Sequence, residues 1–134
     1  MALITWKDAY SVNVASIDEQ HKILIGLINK LHDAMSSGQG KAVRSTVLTE
    51  LAAYTRTHFS YEESLMARAI YPNLTTHRTL HRDLVARISS LESRMETGAS
   101  IAIETMTFLR NWLVEHIQQE DKGYSECLRN KGIS

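Results

Sequence analysis

The stretch THFSYEES, residues 57–64, places His58 and Glu62 four residues apart in a segment whose neighbours mostly favour a helix. Four residues make about one helical turn, so both side chains leave the same face of the helix, one above the other. An ordinary amphipathic helix carries Leu or Val at such positions. The pair therefore marks a face that is either exposed to solvent, buried with polar partners, or occupied by a ligand.

Four helical segments surround this pair. The first opens with a capping-box pattern, Ser16 followed by Glu19 three residues later, and the second stops before the only proline, Pro72. Short turns between the segments predict antiparallel neighbours. We therefore expect an all-α fold, an up-down-up-down antiparallel four-helix bundle with an extended N-terminal arm, in which residues 1–134 form a single domain. The predicted helices are about Ile17–Met35, Lys41–Ala69, Leu74–Glu96 and Ser100–Leu128.

Each segment carries apolar residues at alternating spacings of three and four, which is typical of a core-facing stripe. Five of the six histidines continue these stripes. They lie near the start of the first and third segments and toward the end of the second and fourth, which is one end of an up-down-up-down bundle. Burying so many imidazoles without strong partners costs several kcal/mol or more, so this pattern predicts a metal site. The five are His21, His58, His77, His81 and His116.

His32 shares the angular position of His21 but lies eleven residues farther along the chain. That separation corresponds to roughly 16 Å along a helix. We therefore interpret His32 as a packing or hydrogen-bonding residue outside the site.

Four stretches, together with the N-terminal ITW, resemble the successive signatures of the bacterial hemerythrins, and the resemblance covers nearly the whole chain. The stretches are DEQHK (18–22), HFSYEE (58–63), HRTLH (77–81) and HIQQEDKGY (116–124). This resemblance adds Asp121 to the ligands. Five imidazoles and two carboxylates are one ligand too many for a single octahedral ion, so two ions fit better. These ligand types suit iron, but they also suit zinc and manganese.

The resemblance implies two iron ions joined by Glu62, Asp121 and a solvent-derived oxo or hydroxo bridge. It assigns His77, His81 and His116 to one iron, and it leaves the iron of His21 and His58 five-coordinate. The implied function is reversible oxygen binding, for storage or delivery, with oxygen held as peroxide at the five-coordinate iron. An apolar pocket is expected around that position. Tyr124 is expected either to hydrogen-bond the Asp121 carboxylate or to be a surface or packing residue. The expected pocket residues are Leu24, Phe59, Trp112, Leu113 and Ile117.

Two other functions remain open at this stage. The same open iron suits a di-iron oxidoreductase acting on peroxide or nitric oxide, although no free acid, base or nucleophile is evident nearby. A third possibility is an oxygen or redox sensor module, which is disfavoured because the chain ends about six residues after its last predicted helix. We expect an oxygen carrier and not an enzyme.

The spacing of His116 and Asp121 departs from a regular helix. Five residues rotate the second side chain by about 140° from the first, whereas Glu120 has the regular four-residue spacing. The family pattern nevertheless points to Asp121. We predict that the fourth helix either widens locally into a π turn or lets Asp121 reach sideways from near its end. Gly123 either eases the departure or marks only fraying of the helix.

Composition limits the partners. Lys plus Arg equals Asp plus Glu, at 15 each, so no nucleic-acid-binding or anionic-membrane patch is indicated. The opening residues lack a basic segment followed by an apolar run, and no stretch reaches the length of a membrane span. The single cysteine, Cys127, cannot form an internal disulfide. We expect a cytoplasmic protein whose partner is dioxygen.

Overall fold

The computed structural model describes the backbone of residues 4–36, 41–95 and 101–133, together with the side chains in these ranges except those of residues 36, 41–44, 94–95, 101–106 and 120. The described residues form helices and connecting turns, in agreement with the predicted all-α class. The helices are α1 (Ala15–Ser36), α2 (Lys41–Arg68), α3 (Leu74–Met95), α4 (Ile101–Glu115) and α5 (Lys122–Asn130). A π-helical segment, His116–Asp121, joins α4 to α5 without a break.

The helices form a four-helix bundle, as predicted. Helix α1 packs against α2 and α4, and α3 packs against the same two helices. Apolar stripes at helical spacing meet along the bundle axis, where their burial drives the packing. Away from the histidines, the core is made by residues that include Leu31, Val47, Leu51, Ile88 and Leu91.

The turn between α2 and α3 ends α2 one residue before the predicted Ala69. Ile70 N–H donates to the Ala67 carbonyl and Tyr71 N–H donates to the Met66 carbonyl, which is the Schellman pattern of a helix C-terminus. Ile70 occupies the left-handed position of this motif, with φ of 56°. That position is normally taken by glycine, because a β-branched side chain is strained there.

The N-terminal arm lies along α1 and is fastened by side chains from the helices. Ile4 exchanges two hydrogen bonds with the Asn29 amide, at 2.9 and 2.8 Å. Asp18 accepts hydrogen bonds from the Val12 N–H at 2.8 Å and from the Ser11 hydroxyl at 2.6 Å. The arm also contains a short 3-10 turn, Asp8–Tyr10, so it is not extended throughout.

The predicted capping box at Ser16 and Glu19 is wrong. Helix α1 begins at Ala15, and the Val14 carbonyl accepts the first hydrogen bonds, from the N–H groups of Ile17 and Asp18. Glu19 is exposed and pairs with Lys22 at 3.2 Å. Burial of the arm decides where the helix starts, because Val14 is fully buried and Asp18, not Glu19, reaches back to the chain before the helix.

The predicted end of the third helix at Glu96 and the predicted start of the fourth at Ser100 lie outside the described residues. Within the described residues, none of the helices combines the length and apolar character that crossing a membrane requires.

Candidate metal centre

Seven side chains meet inside one end of the bundle, and they come from α1, α2, α3 and the π-helical segment between α4 and α5. All seven are at most 5% exposed. They form two groups whose nitrogen and oxygen atoms lie within 4.8 Å of one another in each group. One group contains His77, His81, His116 and Asp121, and the other contains His21, His58, Glu62 and Asp121.

Asp121 belongs to both groups. Its Oδ1 lies 3.0 Å from His77 Nε2 and 2.9 Å from His116 Nε2, while its Oδ2 lies 3.0 Å from His21 Nε2. One carboxylate thus presents one oxygen to each group. This is the arrangement that a carboxylate bridging two cations requires.

Glu62 divides its oxygens in the same way. Oε1 contacts His58 Nε2 and lies 3.7 Å from His21 Nε2, while Oε2 lies 3.9 Å from His77 Nε2. The two carboxylates therefore lie between two sets of imidazoles. His58 and Glu62, the pair one turn apart on α2, face the same interior space.

The π-helical segment brings Asp121 into the site, which confirms the predicted local widening. The hydrogen bonds of a π turn join residues five apart, whereas those of an α turn join residues four apart. Asp121, five residues after His116, therefore lies on the same face of the helix as His116. Gly123 follows at the start of α5, where an added Cβ would lie 3.1 Å from the Tyr71 hydroxyl. A Cβ at this position would therefore require the Tyr71 side chain to shift. The Glu120 side chain, the regular-spacing competitor, lies outside the described residues.

Most polar atoms of the site lie close to one another but do not form hydrogen bonds. The Nε2 atoms of His21, His58 and His77 and all four carboxylate oxygens are buried without a hydrogen-bond partner among the described residues. His81 Nε2 and His116 Nε2 face each other at 3.2 Å. Leaving this many buried polar atoms unsatisfied costs about 1–3 kcal/mol for each group. Their lone pairs converge on shared points, which fits bound cations.

The carboxylates of the site are charged at neutral pH. Burial raises the pKa of Asp121, but the imidazoles of His116, His21 and His77 outweigh it and hold that pKa well below its usual range. Burial and the charge of Asp121 raise the pKa of Glu62, yet His58 and His21 lower it further. Two buried negative charges in one cavity need positive partners, which are either protonated imidazoles or bound cations.

Three of the imidazoles have shifted pKa values, in directions that depend on their neighbours. Burial lowers the pKa of His21, but Asp121 and Glu62 raise it to about 10. His116 is raised in the same way: burial lowers its pKa, and Asp121 outweighs that effect. For His81 burial dominates and lowers the pKa to about 4, so this ring is neutral. A neutral imidazole is the form that binds a metal.

Two residues that the sequence analysis missed hold ligand-candidate histidines from outside. Gln20 Oε1 lies 2.6 Å from His58 Nδ1, and Glu63 Oε2 lies 2.9 Å from His81 Nδ1. Each follows or precedes a site residue directly in the chain, so each points toward the neighbouring helix. Their position next to a site residue in the sequence could have marked them as candidates, but it does not show which histidine ring each one contacts.

The predicted pocket residues are buried, with Trp112 only partly so. Phe59 stacks on the His81 ring at a centroid distance of 3.6 Å, and Trp112 stacks on His116 at 4.6 Å. Leu24, Leu113 and Ile117 belong to the same core cluster. The two stacks are on histidines of the His77, His81 and His116 group, so the expected pocket beside His21 and His58 stays a prediction.

Tyr124 lies against the site, whereas His32 lies outside both groups. The Tyr124 ring lies against His77 at 5.5 Å, and its hydroxyl is buried without a hydrogen bond to any described residue, so the expected bond to Asp121 is not seen. Burial, together with the charges of Asp121 and Glu62, raises the Tyr124 pKa well above its usual value. His32 is 30% exposed and belongs to neither group.

A four-helix bundle that buries two adjoining groups of imidazoles and carboxylates has the architecture of helical proteins that bind metals in the bundle core. The family model described as Hemerythrin HHE cation binding domain matches residues 12–128. The chain therefore belongs to the hemerythrin family.

Individual relatives agree with this membership. The chain is 36% identical over 129 residues to the bacteriohemerythrin of Stenotrophomonas maltophilia (strain R551-3), covering 96% of this chain and 84% of the relative. It is 36% identical over 130 residues to the bacteriohemerythrin of Methylococcus capsulatus (strain ATCC 33009 / NCIMB 11132 / Bath), covering 96% and 98%. A crystal structure of wild-type hemerythrin superposes with a TM-score of 0.88 at 35% identity, covering 95% of this chain and 98% of that chain.

Proposed function

We propose that this chain binds dioxygen reversibly at two iron ions, joined by an oxo or hydroxo bridge, for storage or delivery of oxygen. Hemerythrins as a family bind oxygen. The observation that carries the proposal is the division of both carboxylates between two groups of imidazoles, with Asp121 shared by the two. Two ferrous ions, when bound there, supply the two electrons that dioxygen takes up and gives back.

The seven residues of the site would each bind one ion or bridge the two. His77, His81 and His116 would hold one ion, His21 and His58 would hold the other, and Glu62 and Asp121 would bridge them. Because the two groups differ by one imidazole, the ion of His21 and His58 has fewer protein ligands. That inequality leaves room for a small molecule on one side of the pair.

We propose that Phe59, Leu24, Leu113 and Ile117 form an apolar wall beside the open position, and such a wall favours a carrier over an oxidase. Phe59 covers one face of His81, and Leu24, Leu113 and Ile117 are each at most 2% exposed. Such a wall excludes water and hinders proton delivery, which are the events that convert reversible binding into irreversible oxidation. Glu63, an acid that contacts a ligand-candidate histidine, is paired with both His81 and Arg78. Its two oxygens are thus both used in contacts within the chain.

The test is a cycle of oxygen exposure and removal on the full chain loaded anaerobically with ferrous iron. We expect a visible charge-transfer absorption to appear with one oxygen per two irons and to disappear again when oxygen is removed. Irreversible oxidation at the first exposure, with hydrogen peroxide released into solution, would contradict the proposal and favour an oxidoreductase or a sensor. The matched control is His32→Ala, which should cycle as the unmodified chain does.

A further inference from the structure

The outer nitrogens of the site histidines are held by unlike partners. The Nδ1–H of His81 donates to the Glu63 carboxylate at 2.9 Å, and the other oxygen of Glu63 accepts from Arg78 Nε at 3.2 Å. Glu63 is 24% exposed and Arg78 is 47% exposed, so solvent screens the outer pair more than the inner one. The negative charge of Glu63 is thus only partly neutralised by Arg78, and it acts on the hydrogen-bonded His81 ring.

The other group has no charged support of this kind among the described residues. The Nδ1–H of His58 donates to the neutral amide oxygen of Gln20 at 2.6 Å. His21 Nδ1 is buried and has no hydrogen-bond partner in the described part of the chain. At Nδ1, one of these imidazoles is held by the dipole of an amide, and the other has no hydrogen-bond partner and is held on that side by packing.

We propose that Glu63 and Gln20 make the two metal positions unequal, so that the His77, His81 and His116 position holds its ion more tightly than the His21 and His58 position. The inference rests on the two-ion site of the proposed function and names two positioning residues for it. The tighter position retains its ion when the other is lost. This chain therefore loads and unloads its two ions in a defined order.

The physical reason lies in the hydrogen bond behind each ring. A carboxylate that accepts the Nδ1–H draws the proton toward itself and makes Nε2 a stronger electron donor to a cation. An amide oxygen fixes the same tautomer but transfers less charge. Outer partners of this kind change metal affinity by about 10- to 100-fold when they are replaced.

Charge and orientation can be separated because glutamine retains an acceptor oxygen. Glu63→Gln keeps a hydrogen bond available to His81 and removes only the negative charge. Gln20→Glu does the opposite behind His58. If charge decides the difference, both substitutions bring the two affinities closer together, the first by weakening the tighter position and the second by tightening the weaker one.

The experiment uses the full chain loaded with two cobalt(II) ions and titrated with a chelator. Native mass spectrometry counts the ions that remain, and the paramagnetically shifted Nδ1–H signals of His58 and His81 show which position is still filled. In the unmodified chain we expect a one-cobalt species with His81 shifted. In Glu63→Gln and in Gln20→Glu we expect the ratio of the two dissociation constants to fall by about 10- to 100-fold.

Three results would overturn the inference. The first is a ratio unchanged in Glu63→Gln but reduced in Glu63→Ala, which assigns Glu63 to orientation only. The second is a one-cobalt species with His58 shifted in the unmodified chain. The third is a chain that binds fewer than two cobalt ions. Oxygen is absent from this test, so ordered cobalt loss with no reversible oxygen binding by the iron form would reject the proposed function and leave this inference standing.

Discussion

The two ends of the bundle are equally buried but are built from opposite chemistry. At the apolar end α2 buries Val47 and Leu51, and at the metal-site end, farther along the same helix, it buries His58 and Glu62. Burial of the apolar end stabilises the fold by about 25 cal/mol for each Å² removed from water. Burial of the metal-site end costs free energy unless its charges and lone pairs are matched. One helical stripe therefore contributes to the apolar core at one end and to the candidate metal centre at the other.

From this comparison we predict that substitutions at the two ends lower the stability of the protein in different ways. A change at the metal-site end should remove the stabilisation that depends on iron, whereas a change at the apolar end should weaken the fold with or without iron.

Asp121→Ala should have the largest effect, because Asp121 is shared by both groups. We expect iron content to fall from two per chain to less than one. The iron-dependent part of the stability should also disappear, which is about 4 kcal/mol for each ion at free iron roughly 1,000-fold above Kd. Iron analysis and denaturation with and without iron measure both effects. Glu120→Ala is the matched control, and the reverse outcome would show that regular helical spacing was the better guide to the ligand.

His77→Ala and His116→Ala should each lose iron and lower stability in the iron-loaded form, because the site ties helices of the bundle together. His32→Ala should keep both irons, since His32 lies outside the two groups. Iron stoichiometry after purification measures the difference. Loss of one iron from His32→Ala would contradict the placement of His32 outside the site.

Leu51→Ala tests the apolar end. Leu51 is 1% exposed, and truncating such a side chain costs about 2–5 kcal/mol of stability. We expect that loss both with and without iron, while the folded protein still binds two irons per chain. A loss of iron in parallel with stability would show that the two ends are not separable.

Ile70→Gly should have the smallest effect and the opposite sign. Ile70 and Gly132 occupy the same left-handed position of two Schellman motifs, after α2 and after α5, with φ of 56° and 76°. Replacing the strained isoleucine should raise the stability by about 1 kcal/mol, and Gly132→Ala should lower it by about as much. Thermal denaturation measures both. A lower melting temperature for Ile70→Gly would show that the exposed isoleucine contributes more than its backbone strain costs.

Local sequence patterns predicted the helices well and their caps less well. The break before Pro72 was confirmed to within one residue, because proline restricts the backbone whatever surrounds it. The capping box at Ser16 and Glu19 failed because a capping pattern specifies only a local option. The buried arm selected Val14 as the start of the hydrogen-bonded turn.

The same distinction holds at the site. Helical spacing placed His58 with Glu62 and His77 with His81, since residues four apart share a face in any α-helix. The five-residue step from His116 to Asp121 does not follow that rule. The observed π turn is one of the two departures from a regular helix that we predicted. The roles of Gln20 and Glu63 were not predicted, because they depend on which face of a neighbouring helix lies opposite.

The sequence by itself determined that five histidines lie on core-facing stripes at one end of a four-helix bundle, because helical periodicity is a property of the backbone. Only the tertiary structure decided which atoms meet: that Asp121 divides its oxygens between two groups, and that His81 is supported by a charge while His58 is supported by an amide. Those contacts depend on the rotation of each helix about its axis. Packing of all the helices together sets that rotation, and no single segment encodes it.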